Sequence, residues 1–327
     1  MIWKKIFAAT TAGALLFSLA GFVWDWQEEL EAVQGTAEKI ARDDVILSKK
    51  DINTVQNNAQ SDTAQSKLEE AKNKLSRAQS AHSVLTMDME VEAFRLNLNA
   101  GAVMDMVSFQ SPVKVRSDVS LDLGILGDTD LEVYAAEQGD GYCLYVKDED
   151  GWKQQEVTAS QIYKYNGQQM MQTFLEQIDD VREVGTEMLT SGKSYKYTGV
   201  IHSDGLQAIL LDTGSLEVVA QLFQNSMLKS VGSLLKQEEE IRSLMKKAED
   251  MEVTLWIDAQ TGYPVKGTMD ITEMMSEGFE QLSKNVSGSK NKGKSIWSQI
   301  GIEKTEIVIE CGEFNCAEEI VIPGAAL

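Results

Sequence analysis

The chain has 327 residues, 30 Lys and Arg against 51 Asp and Glu, and a formal net charge of -21. So acidic a balance speaks against a nucleic-acid partner, whose phosphates would have to be neutralised by cations. A hydrophobic share of 43% with 25% charged residues fits a folded protein, long enough for one large domain or two modest ones.

The chain opens Met1-Ile2-Trp3-Lys4-Lys5 and continues into an uncharged apolar run from Ile6 to Trp24. A cationic start, an apolar middle and the small-x-small triplet Ser18-Leu19-Ala20 form the pattern of a secretory signal peptide. The same run is just long enough to span a bilayer. Residues 1–24 therefore read as a signal peptide or an N-terminal membrane anchor, and the protein is expected outside the cytoplasm, secreted or held at the membrane by this segment.

Residues 25–61 read as a polar helical and spacer segment: Leu30, Val33, Ala37, Ile40 and Ala41 fall at helical spacing, and Ser48 to Gln60 is poor in large apolar groups. From residue 62 to 327 one α+β domain is expected. Asp62 can cap a helix with Gln65 returning the bond, after which Leu68, Ala71, Leu75 and Ala78 recur on one face as far as about His82. Glu70 and Lys74 have the spacing of an ion pair.

The period then changes to two. Leu85, Met87, Met89, Val91 and Ala93 alternate with polar residues, as in a strand with one dry face. A second run places Val107, Phe109, Val113, Val115, Val119, Leu121 and Leu123 on its apolar parity, with Pro112 implying a bulge or an edge. Strands at 131–135 and 142–146 follow around the turn Gly139-Asp140-Gly141, then a short strand around Trp152.

A helical segment is expected over roughly Ala159 to Leu189, with Met170, Met171, Phe174, Leu175 and Ile178 inward and Gly167 as its weak point. A strand at 195–201 and a short helix opened by Ser203 or Asp204 come next. The longest amphipathic stripe runs from Leu216 to Ala248 and includes Leu222, Phe223 and Met227. Strands return at 253–258, 265–271, 302–310 and 319–322.

Residues Lys284, Lys290, Lys292 and Lys294 form a basic patch in a Gly/Ser-rich loop, either a solvated loop or a contact for anionic lipid head groups at a membrane surface. Cys311 and Cys316 lie five residues apart around a turn and are the candidate disulfide for an oxidising compartment, whereas Cys143 sits in an apolar strand as a small hydrophobe.

Neither His82 nor His202 has a partner at metal-ligand spacing, and no phosphate-binding glycine loop, zinc-protease helix or nucleophile elbow occurs. The carboxylates fall on the polar parity of strands and on exposed helix faces. The expectation is therefore a non-enzymatic protein with no cofactor and no metal. A long antiparallel sheet with one apolar face must cover it with its helices, and a cleft left between the layers would suit a lipophilic ligand. The candidate ligand-binding residues are Leu85, Met87, Met89, Val91, Val107, Phe109, Val113, Val115, Val119, Leu121, Leu222, Phe223, Met227, Leu255, Ile257 and Met269. The alternative is an interaction module whose core is filled.

Several segments carry a resemblance. They are the helix Leu68 to Ala81 running into Leu85-Thr86-Met87-Asp88-Met89-Glu90-Val91, the hairpin Tyr142-Cys143-Leu144-Tyr145-Val146 to Gly151-Trp152-Lys153, the segment from Leu255 to Lys266, and the ending Ile320-Val321-Ile322-Pro323. Together these resemble a family of bacterial surface lipoproteins that is similar to LolA-like and LppX-like lipoprotein and lipid carriers, over roughly residues 63 to 325. The most specific piece is W-I-D-x-x-T-G-Y-P-V-K, beginning at Trp256. The resemblance implies a half-open antiparallel β-barrel with helices on its concave face, a lipid or other hydrophobic small molecule as ligand, and work at the bacterial membrane surface. It implies no catalytic residues. One departure is plain: Phe22 stands where such lipoproteins carry the lipidated cysteine after Leu19-Ala20-Gly21.

Overall fold

A computed structural model describes residues 50–93, 96–122, 128–139, 141–148, 151–209, 250–276 and 300–322. The signal or anchor segment, the stripe from Leu216 to Ala248 and the four lysines of the basic loop lie outside these residues. Helix α1 spans Lys50–Leu75 and is followed by strands β1 (Ser80–Ala93), β2 (Leu96–Gln110), β3 (Val113–Asp122), β4 (Asp128–Gln138), β5 (Gly141–Asp148) and β6 (Gly151–Val157). Helices α2 (Ala159–Tyr163) and α3 (Gly167–Glu176) then lead to β7 (Asp179–Leu189) and β8 (Gly192–Ile201), the short α4 (Ser203–Gln207), β9 (Met251–Asp258), β10 (Pro264–Asp270) and β11 (Ile300–Gly312).

The strands form one 11-stranded sheet in the order β6-β5-β4-β3-β2-β1-β11-β10-β9-β8-β7. Its strand pairs are antiparallel, as expected where most connections are hairpins. Consecutive strands are neighbours in the sheet except β6 and β7, which are its two outer strands. Laid flat at about 4.8 Å per strand, eleven strands would hold them about 48 Å apart. With 5 residues in α2 and 10 in α3, the helices of residues 158–178 rise about 22 Å. The rest of that segment adds well under its extended length, because Tyr165 and Asn166 turn back onto the carbonyls of Ile162 and Tyr163, and Gln177 onto that of Phe174. The chain therefore spans the gap only if the sheet bends toward the helices, and the architecture is an open, curved antiparallel sheet with helices on its concave face.

Contacts at three points fix how α3 crosses this face. A Cβ on Gly167 would lie 2.4 Å from the Ser83 Cβ of β1, one on Gly267 of β10 would lie 2.6 Å from the ring of Phe174, and one on Gly199 of β8 would lie 2.4 Å from Ile178. From Gly167 to Phe174 the helix rises about 10 Å, and from β1 over β11 to β10 is about the same distance. Helix α3 thus lies nearly across the strands, seated where serine and glycine let backbone approach backbone.

Helix α1 packs beside it. Ala64, Leu68, Ala71 and Leu75 are fully buried, and the Gln168 Nε2 of α3 donates to the carbonyls of Leu75 at 2.8 Å and Ala78 at 3.1 Å. That side chain caps the end of α1, adding to the bond that the Leu75 carbonyl accepts from the Ala78 N–H at 3.1 Å. The buried stripe joins the inner faces of β1–β5 and β7–β11 in one hydrophobic core cluster, in which each fully buried Leu, Ile, Met or Val contributes about 1.5–3 kcal/mol.

The convex face carries most of the sheet's charged side chains, with a few buried residues such as Val107 and Trp256 among them. Trp256 lies between the ammonium groups of Lys196, 5.0 Å away, and Lys266, 5.7 Å away, and donates its indole N–H to Glu187 at 3.0 Å. That hydrogen bond, with one from Lys196, holds the Glu187 carboxyl below the usual range. On the other flank Lys147 pairs with Glu132 at 2.7 Å and lies over Trp152.

The structure corrects several local expectations. Helix α1 begins at Lys50 rather than after a cap at Asp62, and it ends at Leu75, since β1 already starts at Ser80. Lys74 donates to the Thr261 carbonyl and forms no pair with Glu70, which bonds Lys67 at 2.7 Å instead. The expected helix up to Leu189 stops at Glu176, and 179–189 is the edge strand β7. Its exposed polar side chains imitate a helix surface, while pairing with β8 decides its conformation. Pro112 occupies the β2–β3 turn, so the expected single run is two strands as far as Asp122, and 319–322 is not a strand.

Candidate functional site

Strand register sorts the candidate residues by face. On β1 the odd positions from Ala81 to Met89 point inward, and the row through Leu85 pairs with Met104 of β2 and Ile309 of β11. The next row brings Met87 beside Ala102 and Ile307, with Leu121 and Met269 one strand further on either side. Met89 follows beside Ala100 and Thr305. Leu85, Met87, Met89, Val113, Val115, Val119, Leu121, Leu255, Ile257 and Met269 thus share the concave face and join its cluster or its flank, Met89 being buried in its row. Val91 has a register position in β1 opposite Leu98. Leu222, Phe223 and Met227 lie outside the described residues.

Val107 and Phe109 do not join them. In the β2–β3 hairpin Gln110 pairs with Val113, so an odd position on one strand faces the same way as an even one on the other. Val107 is therefore beside His82 and Arg116 on the convex face, and Phe109 is beside Lys114. The inward residues of β2 are Ala102, Met104 and Met106, which are buried, and Ser108. The parity switch across the two-residue turn would have found them; reading through the turn missed them. Ile307 and Ile309 of β11, Tyr197 of β8, and Met274 and Met275 after β10 also join the site.

Burial on this face is uneven. Met104, Met106, Val119 and Leu121 are 0–3% exposed. Leu85, Met87, Ala100 and Ile307, on the same face between β2 and β11, are only partly buried, as are Met274 and Met275. The half-buried group starts just beyond the point where Gly167 sits on Ser83, so it flanks the N-terminal end of α3. Methionine and branched aliphatic side chains dominate it, and the unbranched thioether adapts to irregular partners.

Polar groups intrude at a few places. Ser83, 1% exposed, shares a hydrogen bond with the Cys311 Sγ at 3.2 Å. Ser108 and Ser117 are 1% and 0% exposed, and each hydroxyl oxygen is without a partner among the described residues. The expected disulfide is not formed: Cys311 is buried and free on the concave side of β11, with burial pushing its thiol up to about 12, and Cys316 is exposed and free in the following turn. Strand pairing holds Cys311 inward to Ser83, while the turn carries Cys316 outward.

The most specific sequence motif is a turn. Asp258 accepts hydrogen bonds from the backbone N–H of Gln260 at 3.1 Å, from that of Thr261 at 2.6 Å and from the Thr261 hydroxyl at 2.7 Å. Burial pushes its carboxyl up, but these bonds outweigh it and leave the group below the ordinary aspartate value. Gly262 takes a φ of 71°, and Tyr263 stacks on Phe314 at 4.2 Å. The motif joins β9 to β10 and locks them to α1 and the C-terminal turn, so it supports the site and contributes no reactive atom. His82 bonds Asp105 at 2.9 Å on the convex face and His202 bonds Asp250 at 2.7 Å, both away from the apolar face.

No family model matches the chain, and no curated protein does. Among solved structures it is similar to lipoprotein LppX of Mycobacterium tuberculosis, with 13% identity and a TM-score of 0.41 over 78% of this chain and 97% of that one. LprF of Mycobacterium bovis gives 12% and 0.44 over 80% and 97%. A putative outer membrane lipoprotein-sorting protein domain from Vibrio parahaemolyticus gives 7% and 0.23 over 79% and 95%. At such identities and scores the likeness is a loose one and assigns no activity.

Proposed function

We propose that this is an exported, non-enzymatic binding protein for a lipid or another hydrophobic molecule, held between the concave face of the sheet and its helices at the bacterial cell surface. The observation that carries the reading is the partial burial of Leu85, Met87 and Ile307. They face inward in the middle of the sheet, where a filled sandwich would bury them as fully as their row-mates Met104 and Ile309. An acyl chain laid on them would gain about 0.8 kcal/mol for each methylene buried. The N-terminal segment would deliver the chain across the membrane or hold it there, and the basic loop with Lys284, Lys290, Lys292 and Lys294 would bring it against anionic head groups.

The test is extraction and mass spectrometry of lipids from natively purified protein. An acyl-bearing species near one per chain is expected, lost when Met87→Asp places a carboxylate on the face. Folded wild-type protein that carries no such species and takes up none from vesicles would overturn the proposal in favour of an interaction module with a filled core.

A further inference from the structure

Three hydroxyls on the concave face, those of Ser108, Ser117 and Thr305, are buried with no partner among the described residues, and the first two stand together. Ser117 of β3 pairs with Met106 of β2, which pairs with Ser83 of β1, so these three lie in one cross-strand row; Ser108 is the next inward residue of β2. The serines therefore surround the Met106 side chain. Ser83 spends its hydroxyl on Cys311, but those of Ser108 and Ser117 are buried with no partner among the described residues. A buried, unmatched hydroxyl destabilises a fold, and two on adjacent strands are unusual.

The N-terminal end of α3 stands over the same place. A Cβ on Gly167 would meet Ser83 at 2.4 Å and the Met106 methyl at 3.1 Å. Asn166 caps this 10-residue helix by accepting from the Gln169 N–H at 3.1 Å, while the first N–H groups of any helix have no partner within it. Asn166, Gly167 and Gln168 are buried, and the Gln168 Oε1 also lacks a partner among the described residues. A helix start rich in donors, the positive end of its dipole and two free hydroxyls thus converge beside an apolar surface. That combination suits an oxygen acceptor bearing negative or partial negative charge. The half-buried residues Leu85 and Met87 continue from it along the strand.

We infer that the ligand is a single-chain amphiphile whose oxygen head, a carboxylate or an ester carbonyl, accepts hydrogen bonds from Ser108 and Ser117 beneath the start of α3 while its chain lies over Leu85, Met87 and Ile307. This rests on the binding function proposed above and adds the polarity and direction of the ligand. Seating the head requires α3 to shift, since both serines are closed off from solvent.

The experiment compares full-length wild-type protein with the Ser108→Ala, Ser117→Ala double variant in calorimetric titrations with laurate, methyl laurate and dodecane. The double variant is expected to melt at or above the wild-type temperature, because it loses only unmatched hydroxyls. It should lose about tenfold in affinity per hydroxyl for the head-bearing probes and nothing for dodecane. Loss confined to laurate identifies a carboxylate, and loss for both laurate and its ester a carbonyl. Equal affinities of the two proteins for all three probes would overturn the head site and leave the binding function standing. A lowered melting temperature of the unliganded variant would show hydroxyls satisfied by buried water, and would equally overturn it. Failure of wild type to bind any probe would overturn the single-chain ligand, and together with the absence of lipid from the natively purified protein it would reject the binding function itself.

Discussion

Replacing Gly167 by alanine tests the seating of α3 on the sheet. The added methyl would sit 2.4 Å from the Ser83 Cβ and 2.9 Å from its Oγ, whereas nonbonded carbons rest about 3.5–4.0 Å apart. The helix must therefore lift by about 1 Å, which opens its contacts with Met106 and with the carbonyls at the end of α1. Overpacking of this kind costs about 1–3 kcal/mol. Alanine's helix preference over glycine returns at most about 1 kcal/mol, so Gly167→Ala should destabilise by about 1–2 kcal/mol. Urea unfolding measures this as a lowered midpoint with an unchanged slope. The partner variant Ser83→Gly removes the atoms the methyl strikes, so the two changes should couple favourably by at least about 1 kcal/mol in a double-mutant cycle. A stabilised Gly167→Ala, or strict additivity with Ser83→Gly, would refute the close crossing of α3 over β1.

Two further perturbations address the turn and the thiols. Asp258→Ala should cost about 1–3 kcal/mol at neutral pH by orphaning the Gln260 and Thr261 donors. Because the folded carboxyl is depressed, its contribution is complete above the unfolded aspartate value and fades as pH falls through the lower folded value; the wild-type-to-variant difference in melting temperature should shrink in acid, and a difference that grew would contradict the bonding described. A thiol reagent should label Cys316 rapidly in the folded protein, and Cys143 and Cys311 only after unfolding; finding one reactive thiol after unfolding without reductant would restore the Cys311 to Cys316 disulfide.

The sequence by itself determined the kind of layers. Alternation from Leu85 to Met89 marked a strand with one dry face, and the 3–4 spacing of Leu68, Ala71 and Leu75 marked a helix with one dry stripe, because side-chain direction has period two or 3.6 whatever the remainder of the chain does. The W-I-D-x-x-T-G turn was legible too, since an aspartate followed by Thr261 and Gly262 satisfies its hydrogen bonds locally. The tertiary structure alone decided which parity faces which layer and which segments meet. Val107 and Phe109 share the apolar alternation of Val115 yet point outward, because the pairing of Gln110 with Val113 flips the parity. Residues 179–189 have a surface fit for a helix and become an edge strand because β8 offers them a ladder. Strand register sets the face of Ser108 and Ser117, but their closure under a helix follows only once α3 has crossed the sheet, and it crosses because β6 and β7 are consecutive in the chain but stand at opposite edges of the sheet.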